Sequence, residues 1–144
     1  MAYWLFKTEP GTWSWDDQVA KGPTGEPWTG VRNHQADNNM KAMRVGDRGF
    51  FYHSGEEKRI MGVVEVIGAY RPDPTDPTGR FGLVDVKAVA PFARPVTLAE
   101  IKAEPRLGGM VLVKNSRLSV QPVTAAEWHL VCAMGGVAAH GLET

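Results

Sequence analysis

The sequence predicts an α+β fold: a small, mostly antiparallel β-barrel surrounded by short helices. Three observations predict it. Five or six short segments rich in aromatic and β-branched residues lie between Gly- and Pro-marked turns, which is the signature of short strands. Gly62 and Gly68 interrupt one of the longest segments, as bulges or close backbone approaches do where a sheet bends. Three or four short helical segments join the strands at the rims, which fits a twisted barrel better than a doubly wound sheet.

The elements follow in order. Ala2 to Phe6 is an apolar run with aromatics and reads as a buried strand. Thr8-Glu9-Pro10-Gly11 breaks it, because Pro10 pushes Glu9 out of helical geometry. Ser14 to Val19 opens a short helix, with Ser14 as its cap and Asp16 and Asp17 at the positive end of its dipole. Lys21 and Gly22 close it. Residues 22–30 carry Gly and Pro around Trp28 and read as a loop. A second helix begins near Asn33, with Val31, Ala36, Met40 and Met43 approximating one apolar face. Arg44-Val45-Gly46-Asp47 ends it, Gly46 being the expected left-handed residue.

The period then changes. Arg48 to His53 and Arg59 to Tyr70 read as a hairpin around the polar turn 54–58. Residues 71–80 hold three Pro and one Gly and form an irregular loop. Phe81 to Val89 alternates as a strand that continues raggedly to Pro95. Thr97-Leu98-Ala99-Glu100 and Thr124-Ala125-Ala126-Glu127 are capping boxes that each predict a helix start. Met110 to Val113 suits either a strand or a helical turn. Arg117 to Val120 reads as a last short strand, ended by Pro122. The expected organisation is a single domain over 1–134 and a flexible tail over 135–144, where Gly and Ala have nothing to bury.

Composition excludes several function classes. The chain has 144 residues, with 16 Lys+Arg against 16 Asp+Glu. A chain of this size buries enough surface to fold without staples. Its longest apolar runs fall short of a membrane span, and its first residues show no signal peptide. The single cysteine, Cys132, can form neither an internal disulfide nor a Cys-based metal site, so a reducing, cytoplasmic setting is expected. Zero net charge argues against a protein that coats nucleic acid by bulk electrostatics, but not against one that captures a single nucleotide. Charge is unevenly spread. Residues 1–57 carry 6 basic and 8 acidic groups, whereas residues 78–117 carry 7 and 3. One basic face is therefore expected.

The sequence carries no catalytic constellation. His34, His53, His129 and His140 show no metal-ligand spacing, so no metal and no cofactor is expected. Phosphate-loop and nucleophile-elbow patterns do not occur. A hydrolytic or transferase alternative would have to use Ser54, His53 and Glu9. What remains is polar residues embedded among aromatics in four stretches. These are Trp4-Leu5-Phe6-Lys7-Thr8-Glu9-Pro10, Trp28-Thr29-Gly30-Val31-Arg32-Asn33-His34-Gln35-Ala36, Gly46-Asp47-Arg48-Gly49-Phe50-Phe51-Tyr52-His53-Ser54 and Arg117-Leu118-Ser119-Val120.

Together these stretches resemble the EVE domain family of the PUA-like superfamily, from about Tyr3 to about Val131. The chain looks like a bacterial, stand-alone version of the domain. The resemblance implies a PUA-like β-barrel wrapped by short helices. It also implies a non-catalytic reader that holds a modified or flipped base, such as a methylated or oxidised-methyl cytosine, in DNA or RNA. Relatives of the family include YTH domains, which enclose methylated adenine in RNA, and SRA domains, which hold a flipped methylcytosine. An RNA-binding accessory domain without modification specificity is the alternative within the same superfamily.

That role assigns residues. A captured base needs an aromatic wall, polar groups for its edge, and cations for the flanking phosphates. Trp28, in its Gly/Pro loop, is the first choice for the wall, against a plain core position. Trp15, or its neighbour Trp13, is the second wall or else also core. Trp4 and Trp128 are assigned to the core. Lys7, Thr8, Asn33 and Ser54 are the polar edge, although Asn33 also suits a helix cap and Ser54 an ordinary turn. Tyr52 and His53 point to opposite faces of their strand, so only one can join them, and Tyr52 is chosen. Arg32, Arg44, Arg48 and Arg117 are the candidate phosphate contacts, against solvated surface charge. A nucleic acid is thus the expected partner of a monomer.

Overall fold

The computed structural model describes residues 1–137. Six strands form one mixed sheet in the order β2-β5-β4-β3-β1-β6. They are β1 (Tyr3–Thr8), β2 (Glu26–Pro27), β3 (Arg48–His53), β4 (Arg59–Pro72), β5 (Gly82–Thr97) and β6 (Val120–Val123). Five α-helices accompany them: α1 (Trp15–Ala20), α2 (His34–Ala42), α3 (Leu98–Ala103), α4 (Val111–Lys114) and α5 (Ala125–Met134). The α+β class expected from the sequence is present. The expected barrel is only a bent sheet. Among the described residues β2 and β6 remain edges, and no pairing closes them. Its curvature comes from register shifts in β4 at Ile60/Gly62, Val63/Val64, Val66/Gly68 and Gly68/Arg71, the bulges that local glycines allow.

The sheet is buried on both faces, because alternate residues of β1 and β3 are apolar on both sides. Tyr3, Leu5, Phe50 and Tyr52 enter one core with α3, α4 and α5, centred on Trp128. Trp128 stacks on Phe50 at 4.2 Å and on Tyr3 at 4.5 Å. Trp4, Phe6 and Phe51 enter the other core with Trp15, Trp28, Ala36 and Met40. The pair β1–β3 is parallel, which the mostly antiparallel expectation did not foresee. A crossover holding α1, β2 and α2 makes it so.

The helix starts follow their caps. Ser14 accepts from the Asp17 N–H, and Thr97 and Thr124 form complete capping boxes with Glu100 and Glu127. Asn33 accepts from the Ala36 N–H. Three details differ from the sequence reading. First, α2 ends at an extended Met43, and Gly46, left-handed as expected with a φ of +100°, sits in the following turn, where the Asp47 carboxylate accepts the Arg44 N–H. Second, Met110 to Val113 resolves as the start of α4, and the last strand lies later, over Val120–Val123, with Pro122 inside it. A proline fits there because, among the described residues, β6 is an edge strand pairing with β1 alone. Third, Gly135 is packed rather than frayed. Its carbonyl accepts from the Arg94 N–H, and a Cβ there would meet the Phe92 ring at 2.2 Å. The Gly136 and Val137 N–H groups likewise donate to carbonyls of α5, and the remainder of the expected tail, residues 138–144, lies outside the described residues. Among the described residues no helix is long and apolar enough to cross a membrane.

Candidate functional site

A cavity of about 300 Å³ opens where β1 ends and the crossover begins. Three pieces of backbone build it. The C-terminal end of β1 supplies Lys7 and Thr8, the turn before α1 supplies Thr12 and Trp13, and the segment from β2 to α2 supplies Glu26 to Arg32. Ser119, just before β6, closes one side.

Each wall is fixed by sequence-specific contacts. Trp28 is 7% exposed and packs edge-on against Phe6 at 5.2 Å and Phe51 at 5.7 Å. It is therefore a core residue that also lines the cavity. β2 is held against β5 by its register, Glu26 to Val86 and Pro27 to Asp85, and the Trp28 N–H donates to the Val84 carbonyl at 2.8 Å. Gly25 makes that approach possible. Its φ is +70°, and a Cβ there would lie 2.5 Å from the Val86 carbonyl oxygen. Trp13 is half-buried and is set by its indole N–H donating to Gln18 at 2.9 Å. Buried Gln18 in turn donates to the Val86 carbonyl at 3.1 Å. The Thr8 hydroxyl donates to the Trp13 carbonyl at 3.0 Å.

Asp73 anchors the opposite rim. Its side chain is fully buried and accepts from the Gly30 N–H at 2.9 Å and Arg32 Nη1 at 3.1 Å on one oxygen. Its other oxygen accepts from the Thr75 N–H at 2.8 Å and hydroxyl at 2.7 Å. Burial alone pushes this carboxyl up, but the hydrogen bonds from Thr75, Gly30 and Arg32 outweigh it and hold Asp73 below the usual carboxylate range.

The cavity's chemistry is mixed. Lys7 donates to the Ser116 carbonyl and lies 5.6 Å from the Tyr52 ring centre. Partial burial lowers its pKa from the ordinary lysine value. Glu26 offers a carboxylate and pairs with Lys21 at 3.5 Å. Thr12, Thr29 and Ser119 add neutral hydroxyls. The result is an aromatic-walled pocket with donors and acceptors of both signs, suited to one flat polar heterocycle.

The structure gathers Lys7, Thr8, Trp28 and Arg32 of the expected residues into this cavity. It places the others elsewhere. Trp15 is buried against Phe51 at 5.3 Å and under Gly62, whose missing Cβ leaves room for its ring, so Trp13 is the second wall. Tyr52 faces the opposite core, where burial pushes its hydroxyl up to about 12. Asn33 is exposed and spent on capping α2. Ser54 lies beyond the strand end, where its N–H donates to the Thr8 carbonyl at 2.8 Å, outside the lining. Arg48 is buried and paired with Glu65 at 3.0 Å, so it is no surface phosphate contact. Arg44 is exposed beside a separate hollow with Met1, Ala2 and Asp47. Arg117 is exposed two residues from Ser119, near the cavity rather than in it. The sequence reading missed Thr12, Glu26, Pro27 and Ser119. Glu26 and Pro27 lie in the Gly/Pro loop and Ser119 in the Arg117–Val120 stretch, whereas no sequence signal points to Thr12.

His53, one of the residues the hydrolytic alternative would use, is engaged elsewhere. The Trp15 N–H donates to His53 Nε2 at 2.9 Å, and His53 Nδ1 bonds Glu57 at 2.8 Å. Both ring nitrogens are engaged, leaving none to activate Ser54.

Comparison with known proteins places this chain. The EVE domain family matches residues 2–134. Human thymocyte nuclear protein 1 is 33% identical over 165 residues, covering 92% of this chain and 73% of that protein. A Rhodopseudomonas palustris protein solved by NMR is 64% identical, with a TM-score of 0.89 and 94% of each chain covered. The human THYN1 protein, solved in complex with DNA containing 5-methylcytosine, is 30% identical at a TM-score of 0.87, covering 96% of this chain and 99% of that one.

Proposed function

The chain belongs to the EVE domain family, and from that premise we propose that it binds nucleic acid by taking one modified base into the Trp13–Trp28 cavity, without catalysis. The observation that carries the reading is the cavity itself: an aromatic-walled hollow of about 300 Å³ at the exposed end of β1. Stacking of a base on an aromatic ring is worth ~1–3 kcal/mol and needs no particular base. Selectivity then comes from the edge. The Glu26 carboxylate can accept from an exocyclic amine, as acidic side chains do from cytosine, and Lys7 with the hydroxyls can serve carbonyl and ring-nitrogen acceptors. A base methyl would meet the apolar surface of the walls, gaining ~0.8 kcal/mol per buried carbon. The DNA complex of the human relative supports 5-methylcytosine as the first candidate.

The test is binding of labelled strands that differ only in one base, 5-methylcytosine or cytosine, as single strands and duplexes of DNA and RNA at one low salt concentration. Tighter binding of a modified strand supports the reading. Trp13→Ala removes a half-buried wall and should abolish the preference, whereas Trp28→Ala also removes a core ring. Equal affinity for modified and plain strands in every form would refute it.

A further inference from the structure

Outside the cavity, but touching it, lies a second aromatic surface. His34, the first residue of α2, is exposed, and its ring lies 4.9 Å from that of Phe81 with a 33° tilt. Phe81 is half-buried just before β5, its N–H donating to Asp76 and its carbonyl accepting from the Asp73 N–H, so the pair has a firm base and, at exposed His34, an open outer side. Arg32 connects this pair to the cavity. Its guanidinium lies 6.0 Å from the Phe81 ring centre, and the same residue lines the cavity. Arg32 cannot swing away, because Val31, Asp73 and Thr75 all accept from it. Arg80, next to Phe81, is exposed and pairs with no carboxylate among the described residues.

We infer that the His34–Phe81 pair is a stacking ledge for the nucleotide next to the captured base, with Arg80 placed for the phosphate between them. The inference rests on the proposed binding of a base in the cavity and extends it: the ligand is a strand of at least two nucleotides, read at one base and stacked at its neighbour. Three features select this occupant. The ledge is continuous with the cavity through one immobilised residue. Its open face is an aromatic ring on a fixed backbone, the surface on which any base stacks. The exposed charge beside it, Arg80, is positive, whereas the buried Asp76 carboxylate is turned inward onto the Arg80 and Phe81 N–H groups, so the accessible charge suits a phosphate.

The test pairs a protein change with a ligand change. Single-stranded DNA carrying one 5-methylcytosine is compared with the same strand made abasic on the 5′ or on the 3′ side of that base. Affinities are measured for the wild type and for His34→Ala, an exposed substitution that leaves the core untouched. The ledge predicts that His34→Ala weakens the intact strand by roughly 5- to 150-fold, the span of one lost stacking contact. It predicts a similar loss for the wild type with an abasic residue on one side only. On that abasic strand His34→Ala should cost nothing further. Equal binding of the intact strand by wild type and His34→Ala overturns the ledge but leaves the cavity reading standing. So does a loss that persists on both abasic strands. If the wild type binds no modified strand, both readings fall together.

Discussion

Asp73 is the residue on which the cavity's outer rim depends, and replacing it with asparagine gives a prediction with a sign and a size. Asparagine keeps the shape and one acceptor, so the Thr75 contacts can survive. Its amide donors would face the Gly30 N–H and Arg32 Nη1, which now donate to the carboxylate at 2.9 and 3.1 Å. Orphaning one partly buried N–H costs ~1–3 kcal/mol. Arg32 is 38% exposed in its side chain and recovers water, so the lost ion pair adds only ~0–1 kcal/mol. Asp73→Asn should therefore cost about 2 kcal/mol. pH gives an independent check. The hydrogen bonds hold the folded-state pKa of Asp73 below its ordinary value despite burial. A depressed carboxyl contributes stability that is full above the unfolded value of about 3.9 and is lost as pH falls through the folded value. The gap between wild type and Asp73→Asn should be full at pH 7 and shrink as pH drops below about 4. Urea unfolding followed by tryptophan fluorescence, at pH 7 and pH 3, measures both. Equal midpoints at pH 7, or a gap undiminished at pH 3, would refute the reasoning. Oligonucleotide affinity should fall with the same substitution, because the 30–32 rim loses its anchor.

Three further predictions concern other parts of the site. Gly25→Ala puts a Cβ 2.5 Å from the Val86 carbonyl oxygen at a φ of +70°, so it should lower the thermal midpoint and weaken binding together as β2 leaves β5. Lys7→Met should cut oligonucleotide affinity and flatten its salt dependence. It should leave stability equal or higher, because burial already disfavours the Lys7 charge; parallel losses in calorimetry and binding would contradict that split. Ser54→Ala should change oligonucleotide affinity less than about twofold, since Ser54 lies outside the lining, and a large loss would return Ser54 to the site.

Where local physics decides an element, the sequence was enough. Both β1 and β3 are readable from their aromatic runs, and Thr97 and Thr124 start helices through capping boxes that need no tertiary contact. β2 was not readable, because two residues, one of them proline, carry no period; its existence depends on Gly25 letting the backbone reach β5. Pro122 reads as a stop in the sequence because the edge position of β6, which admits it, is a fact of topology. The cavity was half legible. Lys7, Thr8, Trp28 and Arg32 stand at a strand end or in a Gly/Pro loop, where exposed backbone ends gather. Tyr52 and Arg48 were misplaced although their spacing held the answer: with Phe50 they form one alternating face, and Phe50 belongs to the other core. The choice between Trp13 and Trp15 lay beyond local pattern, because it turns on Gly62 making room for the Trp15 ring from a distant strand.

Capture of a modified base in the Trp13–Trp28 cavity comes down to a paired affinity measurement. One single-stranded DNA, made once with 5-methylcytosine and once with cytosine at the same position, is titrated against wild type and Trp13→Ala at fixed salt. The wild type should bind the methylated strand at least about fourfold tighter, the value of one buried methyl, and Trp13→Ala should bind both strands alike. Equal affinity of the wild type for the two strands, or a preference that survives Trp13→Ala unchanged, would contradict it.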